Sequence, residues 1–184
     1  MPSKKKRPAA GVKARSTLHA PWRIEFILAP KPPGCFFCEA AQLDAKDRAA
    51  WKRTLLLYRD PRALIIMNRY PYIGGHLLIA PHRHTAALPK LDAAESHSLW
   101  ELSRRCIGIL ERVMKPQGFN YGMNLGRAGG AGVEEHLHMH VLPRWAGDTN
   151  FMPVIAHTGT VPVALEALWE ELFAAIEAEK ASWK

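Results

Sequence analysis

Three histidines alternate with apolar residues in His136-Leu137-His138-Met139-His140-Val141-Leu142. Successive side chains of an extended strand point to opposite faces, so this order sends three imidazoles to one side. Leu137, Met139 and Val141 then face the core. In a helix the same residues would splay by about 200° per pair, because each residue turns about 100°. A strand spaces the rings ~6.6–7 Å apart along one face. Two chemistries suit such a row. A neutral imidazole can attack phosphorus, and an ordinary histidine pKa of about 6.5 leaves that form available at pH 7. The same nitrogen atoms can also bind a metal ion.

Directly upstream lies Asn124-Leu-Gly126-Arg-Ala-Gly129-Gly130-Ala-Gly132. Glycines let backbone N–H groups approach an anion and form a nest for phosphate oxygens. Joined to the histidine row, the loop describes a phosphate held against an imidazole nucleophile. Backbone donors would stabilise its charge without reorganising. A third group, Cys35-Phe-Phe-Cys38, has a spacing that suits redox, structural or metal-binding roles. The cysteine count of three is odd, which argues against a disulfide framework. Cys106 falls inside a helical pattern as a buried thiol.

The elements that must position these groups are legible in outline. Glu39 to Ala50 reads as one short helix. Leu55–Tyr58 and Ala63–Met67 are apolar runs split by Asp60-Pro61, a pattern for two antiparallel strands. Gly75 to Ala80 forms a third strand, stopped by Pro81. The clearest helix runs from Ala93 to Met114, with Asp92 and Glu95 set for a capping box. Its apolar positions Leu99, Leu102, Cys106, Ile109 and Val113 repeat at helical spacing. Phe119–Leu125 and His136–Leu142 supply two more strands, and a last helix begins near Pro162. Short connections between strands make the fold class α+β, with a mostly antiparallel sheet of about five strands.

The chain's 184 residues suit one domain, and its net charge of +8 is unevenly spread. Lys4, Lys5, Lys6, Arg7, Lys13, Arg15 and Arg23 all precede the first acid, Glu25, which leaves the remainder at 8 − 7 = +1. Residues 1–17 are therefore expected to be a disordered, basic, solubilising tail, and residues 18–184 the folded domain. Nucleic-acid binding by that tail is the less favoured reading. No apolar run approaches the ~20 residues needed to span a membrane, and no apolar stretch follows the basic N-terminus. A cytoplasmic protein is expected.

The segment His136–Arg144 resembles the signature of the histidine-triad (HIT) family. Asn68-Arg-Tyr-Pro-Tyr-Ile-Gly-Gly-His76 through Pro81-His-Arg-His84 is similar to the family's second characteristic segment. Ala20-Pro-Trp-Arg23 and Pro143–Phe151 resemble a microbial branch that includes diadenosine tetraphosphate phosphorylases. The resemblance implies a nucleotidyl transferase or hydrolase acting at the α-phosphate of a purine nucleotide, with a dinucleoside polyphosphate as substrate. By the same resemblance His138 is the nucleophile, and His140 contacts the phosphate and assists the leaving group. His136 completes the triad and His76 orients it. Asn68 meets the ribose, and Asn124, Gly126 and Gly132 border the phosphates. Relatives place a hydroxyl or amide residue three or four positions before the first histidine. Here those positions are Val133 and Gly132, which leaves backbone N–H groups to make that contact.

The resemblance also implies a structural zinc ion on Cys35, Cys38, His84 and His136, and a homodimer whose sheet continues across the pair. No organic cofactor is expected. Three rivals remain. An adenosine phosphoramidase would share the machinery. A zinc-containing nucleic-acid-binding or scaffold protein would lose salt-dependent binding when residues 1–17 are deleted. A catalytic metal on the histidine row would make turnover vanish with chelator.

Overall fold

A computed structural model of the chain describes residues 34–148 and 164–183. The basic tail over 1–17, the Ala20-Pro-Trp-Arg23 segment and the expected helix start at Pro162 lie outside the described residues. Helix α1 spans Phe36–Gln42 and α2 spans Arg48–Thr54. The single helix expected over Glu39–Ala50 is thus two. Asp47 ends the continuity: its carboxylate accepts the Ala50 N–H at 2.8 Å and starts a new helix as its N-cap.

Five strands follow the order β1 (Leu56–Arg59), β2 (Ala63–Met67), β3 (Leu77–Pro81), β4 (Gly118–Met123) and β5 (Met139–Arg144). In space they lie β1-β2-β3-β5-β4, with every pairing antiparallel. The fold class is α+β, as the short connections predict. Between β3 and β4 runs α3, Ala93–Met114, and α4 spans Leu165–Glu179. The capping box expected at α3 is formed. Asp92 accepts the Glu95 N–H at 2.7 Å, and Glu95 accepts the Asp92 N–H at 2.9 Å.

The register separates the two faces of the sheet. Leu77 pairs with Val141 and Ile79 with Met139, and the Ser103 hydroxyl of α3 donates to the Met139 sulfur at 3.6 Å. That face lies under α3, whose Leu99, Leu102, Cys106, Ile109 and Leu110 are buried. Alternate residues point the other way, so Leu78 and His140, themselves a pair, share the opposite face. There Gly122 of β4 stands beside His140 and adds no side chain. On the α4 side, Trp169 is fully buried and donates its indole N–H to the Leu56 carbonyl at 2.9 Å. The burial of such a ring is worth roughly 2–3 kcal/mol and anchors α4 to β1.

One expectation about the histidine row needs correcting. Ladder pairing of β5 begins at Met139, so His136 and His138 lie on the irregular lead-in and not within the strand. Their segment is fixed instead by the Leu137 N–H donating to the Thr85 carbonyl at 2.8 Å.

Candidate active site

The turn from β2 to β3 delivers the first part of the site. Gly75 has φ +81°, and a Cβ there would meet the Met114 sulfur at 2.6 Å and Pro143 at 2.9 Å. Only glycine satisfies both the backbone and the space. The turn ends on His76, which is almost wholly buried. Its Nδ1 accepts the Tyr72 N–H at 3.2 Å and faces Asn68 Nδ2 at 3.1 Å. Asn68 Oδ1 accepts the Tyr70 N–H at 2.9 Å, which fixes the amide with its NH₂ towards His76. His76 must therefore carry its proton on Nε2, and that group donates to His140 Nδ1 at 2.9 Å. The remaining nitrogen of His140, Nε2, is then a donor. Asn68 is engaged on both amide atoms, and its work here is to set two tautomers in series.

The second part is His138. Its Nδ1–H donates to the carbonyl of His136 at 2.8 Å, leaving Nε2 with the lone pair. Only 5% of the residue is exposed. Burial pushes its pKa below the ordinary histidine value, against the pull of the His136 carbonyl, which favours the neutral form of the ring. Its ring centre lies 4.9 Å from that of His140 and 5.2 Å from Phe37, a fully buried ring of α1. The result is a continuous row of rings, with His76 5.1 Å from His140 and Tyr72 stacked 5.1 Å from His76.

His136, which strand alternation would send to the same side as the other two, turns instead to the cysteines with which the resemblance groups it. Its Nδ1 lies 3.2 Å from Cys35 Sγ and 3.6 Å from Cys38 Sγ. His84 Nδ1 is 3.4 Å from Cys38 Sγ, and the four ligand atoms all lie within 4.8 Å of one another. Tetrahedral zinc, with bonds of about 2.0–2.3 Å, needs its donors roughly 3.3–3.8 Å apart, so two sulfurs and two nitrogens so arranged fit a closed site. The far nitrogen of His136 faces the Pro81 carbonyl at 2.8 Å, which directs Nδ1, unprotonated, towards the cysteines. Burial first, then neighbouring Cys35 and Glu39, push the Cys38 thiol up.

Asn124, Gly126 and Gly132 lie on the loop joining β4 to β5, where both glycines are exposed. The Asn124 amide is turned inwards to the Gly130 carbonyl at 3.4 Å. Turns within the loop already use the N–H groups of Gly130 and Ala131. Phe37 and Tyr72 escaped the sequence reading. Each stood beside a motif residue, between the cysteines and four before His76, but ring stacking leaves no spacing signal.

Residues 51–147 match the HIT domain family. The chain belongs to the HIT domain family. An AP-4-A phosphorylase of Mycobacterium tuberculosis is 37% identical over 129 residues, covering 70% of this chain and 63% of that relative. The match thus spans less than two-thirds of the relative's own length. Among solved structures, a Zn-bound histidine triad family protein from Mycobacterium smegmatis superposes with a TM-score of 0.61 at 22% identity, over 81% of this chain and 97% of that one. A hypothetical histidine triad nucleotide-binding protein from Sulfolobus tokodaii gives a TM-score of 0.60 at 25% identity, over 79% and 94%. These two likenesses extend the HIT fold to most of the described residues.

Proposed function

We propose that this HIT protein is a nucleotidyl transferase or hydrolase that cleaves a dinucleoside polyphosphate at an α-phosphate. The observation that carries the reading is the bond from His138 Nδ1 to the His136 carbonyl, which leaves the lone pair on Nε2 of a buried ring. His138 Nε2 attacks the α-phosphorus as the bond to the bridging oxygen breaks. His140, held as an Nε2–H donor through the Asn68–His76 chain, hydrogen-bonds the departing bridging oxygen, which leaves as a phosphate anion whose charge that bond stabilises. The covalent nucleotidyl-histidine divides one difficult displacement into two. Phosphate or water then attacks the same phosphorus and the N–P bond breaks, giving a nucleoside diphosphate or monophosphate. Phosphate is the preferred acceptor, supported by the 37% identical relative named as a phosphorylase.

Cys35, Cys38, His84 and His136 would hold zinc, supported by their donor spacing and by the Zn-bound histidine triad protein of the same fold. When bound, the ion supplies rigidity to the carbonyl that holds His138, not chemistry at phosphorus. The nucleotide would meet Asn124, Gly126 and Gly132 through backbone groups once the β4–β5 loop turns towards it. A homodimer continuing the sheet past β4 belongs to the same reading. It is supported by that strand's place at the sheet edge and by exposed Trp100 and Tyr121, whose rings meet edge-on at 6.0 Å. A cytoplasmic setting suits three free cysteines. No helix among the described residues is long and apolar enough to cross a membrane.

The test is intact mass spectrometry after brief mixing with diadenosine tetraphosphate. A nucleotidyl adduct is expected on the wild type and none on His138→Ala. Turnover compared with and without inorganic phosphate, and against an adenosine phosphoramidate, separates phosphorylase, hydrolase and phosphoramidase. An adduct that survives His138→Ala, or no turnover of any of these substrates, overturns the proposal.

A further inference from the structure

At Tyr72 the row of rings that contains the nucleophile reaches the protein surface. Tyr72 is 47% exposed, whereas His76 beneath it is 1% exposed. Its ring lies nearly parallel to His76, at 5.1 Å and 20°, and 6.4 Å from His140. The placement is rigid from below. Pro71, buried and restricted in φ, precedes it, and its own N–H is bonded to His76 Nδ1 at 3.2 Å. We infer that Tyr72 receives the base of the departing nucleotide, so that it selects substrates whose leaving group itself carries a nucleoside. This inference rests on the proposed reading, in which the leaving group departs past His140.

Three features point to a base and not to bare phosphate. A polyphosphate tail is hydrated and anionic, and would be met by cations. The cation of this same turn, Arg69, is instead directed to the Arg53 carbonyl. What the turn offers beside His140 is a flat, amphipathic ring with few rotamers to lose, which favours another flat ring. Stacking of a nucleobase on such a side chain is worth about 1–3 kcal/mol, or roughly 5- to 150-fold. Because the ring stands beyond His140 from His138, the gain is realised on the leaving side and not on the nucleotide that becomes attached.

The experiment compares diadenosine tetraphosphate with adenosine 5′-tetraphosphate, which has the same phosphate chain and lacks the second nucleoside. Values of kcat/KM are measured for both substrates with wild type, Tyr72→Phe and Tyr72→Leu. Wild type should prefer the dinucleotide. The preference should persist in Tyr72→Phe and fall about tenfold in Tyr72→Leu. Because any disturbance of His76 lowers both substrates together, only the ratio reports stacking. An unchanged ratio in Tyr72→Leu, or a wild type with no preference, overturns the inference while leaving the nucleotidyl chemistry standing. A wild type inert towards both substrates overturns that chemistry and this inference with it.

Discussion

His136 and His138 stand two residues apart, both at least 95% buried, and their surroundings fit them for opposite work. For His136 the far nitrogen is held by the Pro81 carbonyl, and the near one faces two sulfurs. For His138 the near nitrogen is held by a carbonyl, and the far one is left as a lone pair. The same side chain is thereby suited to be a ligand in one case and, in the proposed reading, a nucleophile in the other. What differs is which nitrogen the backbone claims. The two are also in series, because the carbonyl that fixes His138 belongs to His136. A structural cluster thereby sets the aim of a reactive ring two residues away.

The largest break in that contrast is His138→Gly. Turnover should fall by about 10⁴-fold or more, because the covalent route is removed and not merely weakened. The melting temperature should change little beside that loss. Rate measurements with calorimetry check both halves, and a variant that loses fold and activity together would erase the distinction. The converse variant is Cys35→Ser, or removal of metal by a chelator. Here the melting temperature should drop by about 10 °C, on the order of 3 kcal/mol for a chain of this size. Turnover should follow the folded fraction. Instant loss of turnover in a protein that stays folded would assign the metal to the chemistry.

A smaller effect is expected at Asn68, which sharpens the comparison from the leaving-group side. Asn68→Ala should lower kcat by roughly 10- to 100-fold, part of what a positioned hydrogen-bond donor to the leaving oxygen contributes. Asn68→Asp should be worse. A carboxylate still accepts from Tyr70, but it demands a proton on His76 Nδ1 and so reverses the hydrogen bond to His140. Nitrogen NMR of the two rings reads the tautomers directly. Tautomers that stay the same in Asn68→Asp would remove Asn68 from the relay.

Much of this was legible in the sequence because it rests on short-range rules. Alternation singled out the three histidines, and Asp92 with Glu95 marked the start of α3 to the residue. Two kinds of information were not. The division between His136 and His138 depends on Pro81, Thr85 and the cysteines, which reach the lead-in from far along the chain, Pro81 from 55 residues away and Cys35 from 101. Nothing local distinguishes a ladder residue from a lead-in residue that bonds a loop, so the expected strand starts three residues too early and stops two short. The break between α1 and α2 was visible in principle, since Asp44 and Asp47 are both turn and cap formers. Apolar spacing continued across them and hid it. The amide of Asn68 shows the limit most plainly. The resemblance assigns it to a ribose; its two amide atoms also tie Tyr70 to His76, a link between residues that spacing does not signal.

The smallest expected effect concerns pH, where both histidines respond in the same direction for different reasons. Burial lowers the pKa of His136 and of His138, in each case opposed by a backbone carbonyl. The unfolded chain protonates its imidazoles near pH 6.5, whereas the folded chain resists until lower pH. Between those values the unfolded state binds more protons, so stability is full above about pH 6.5 and declines as the pH falls through that window. His136 adds a second loss of the same sign, since protons compete with a metal for its Nδ1. For His138 the consequence is kinetic: the neutral nucleophile persists below the usual histidine range, and the acid limb of kcat/KM should lie below pH 6.5. Denaturant melts and rate profiles between pH 5 and 8, with and without chelator, separate the two rings. Chelator should remove the metal-linked part of the stability slope and leave the acid limb of the rate in place. If both moved together, the two histidines would be titrating as one unit and the division of labour between them would fail.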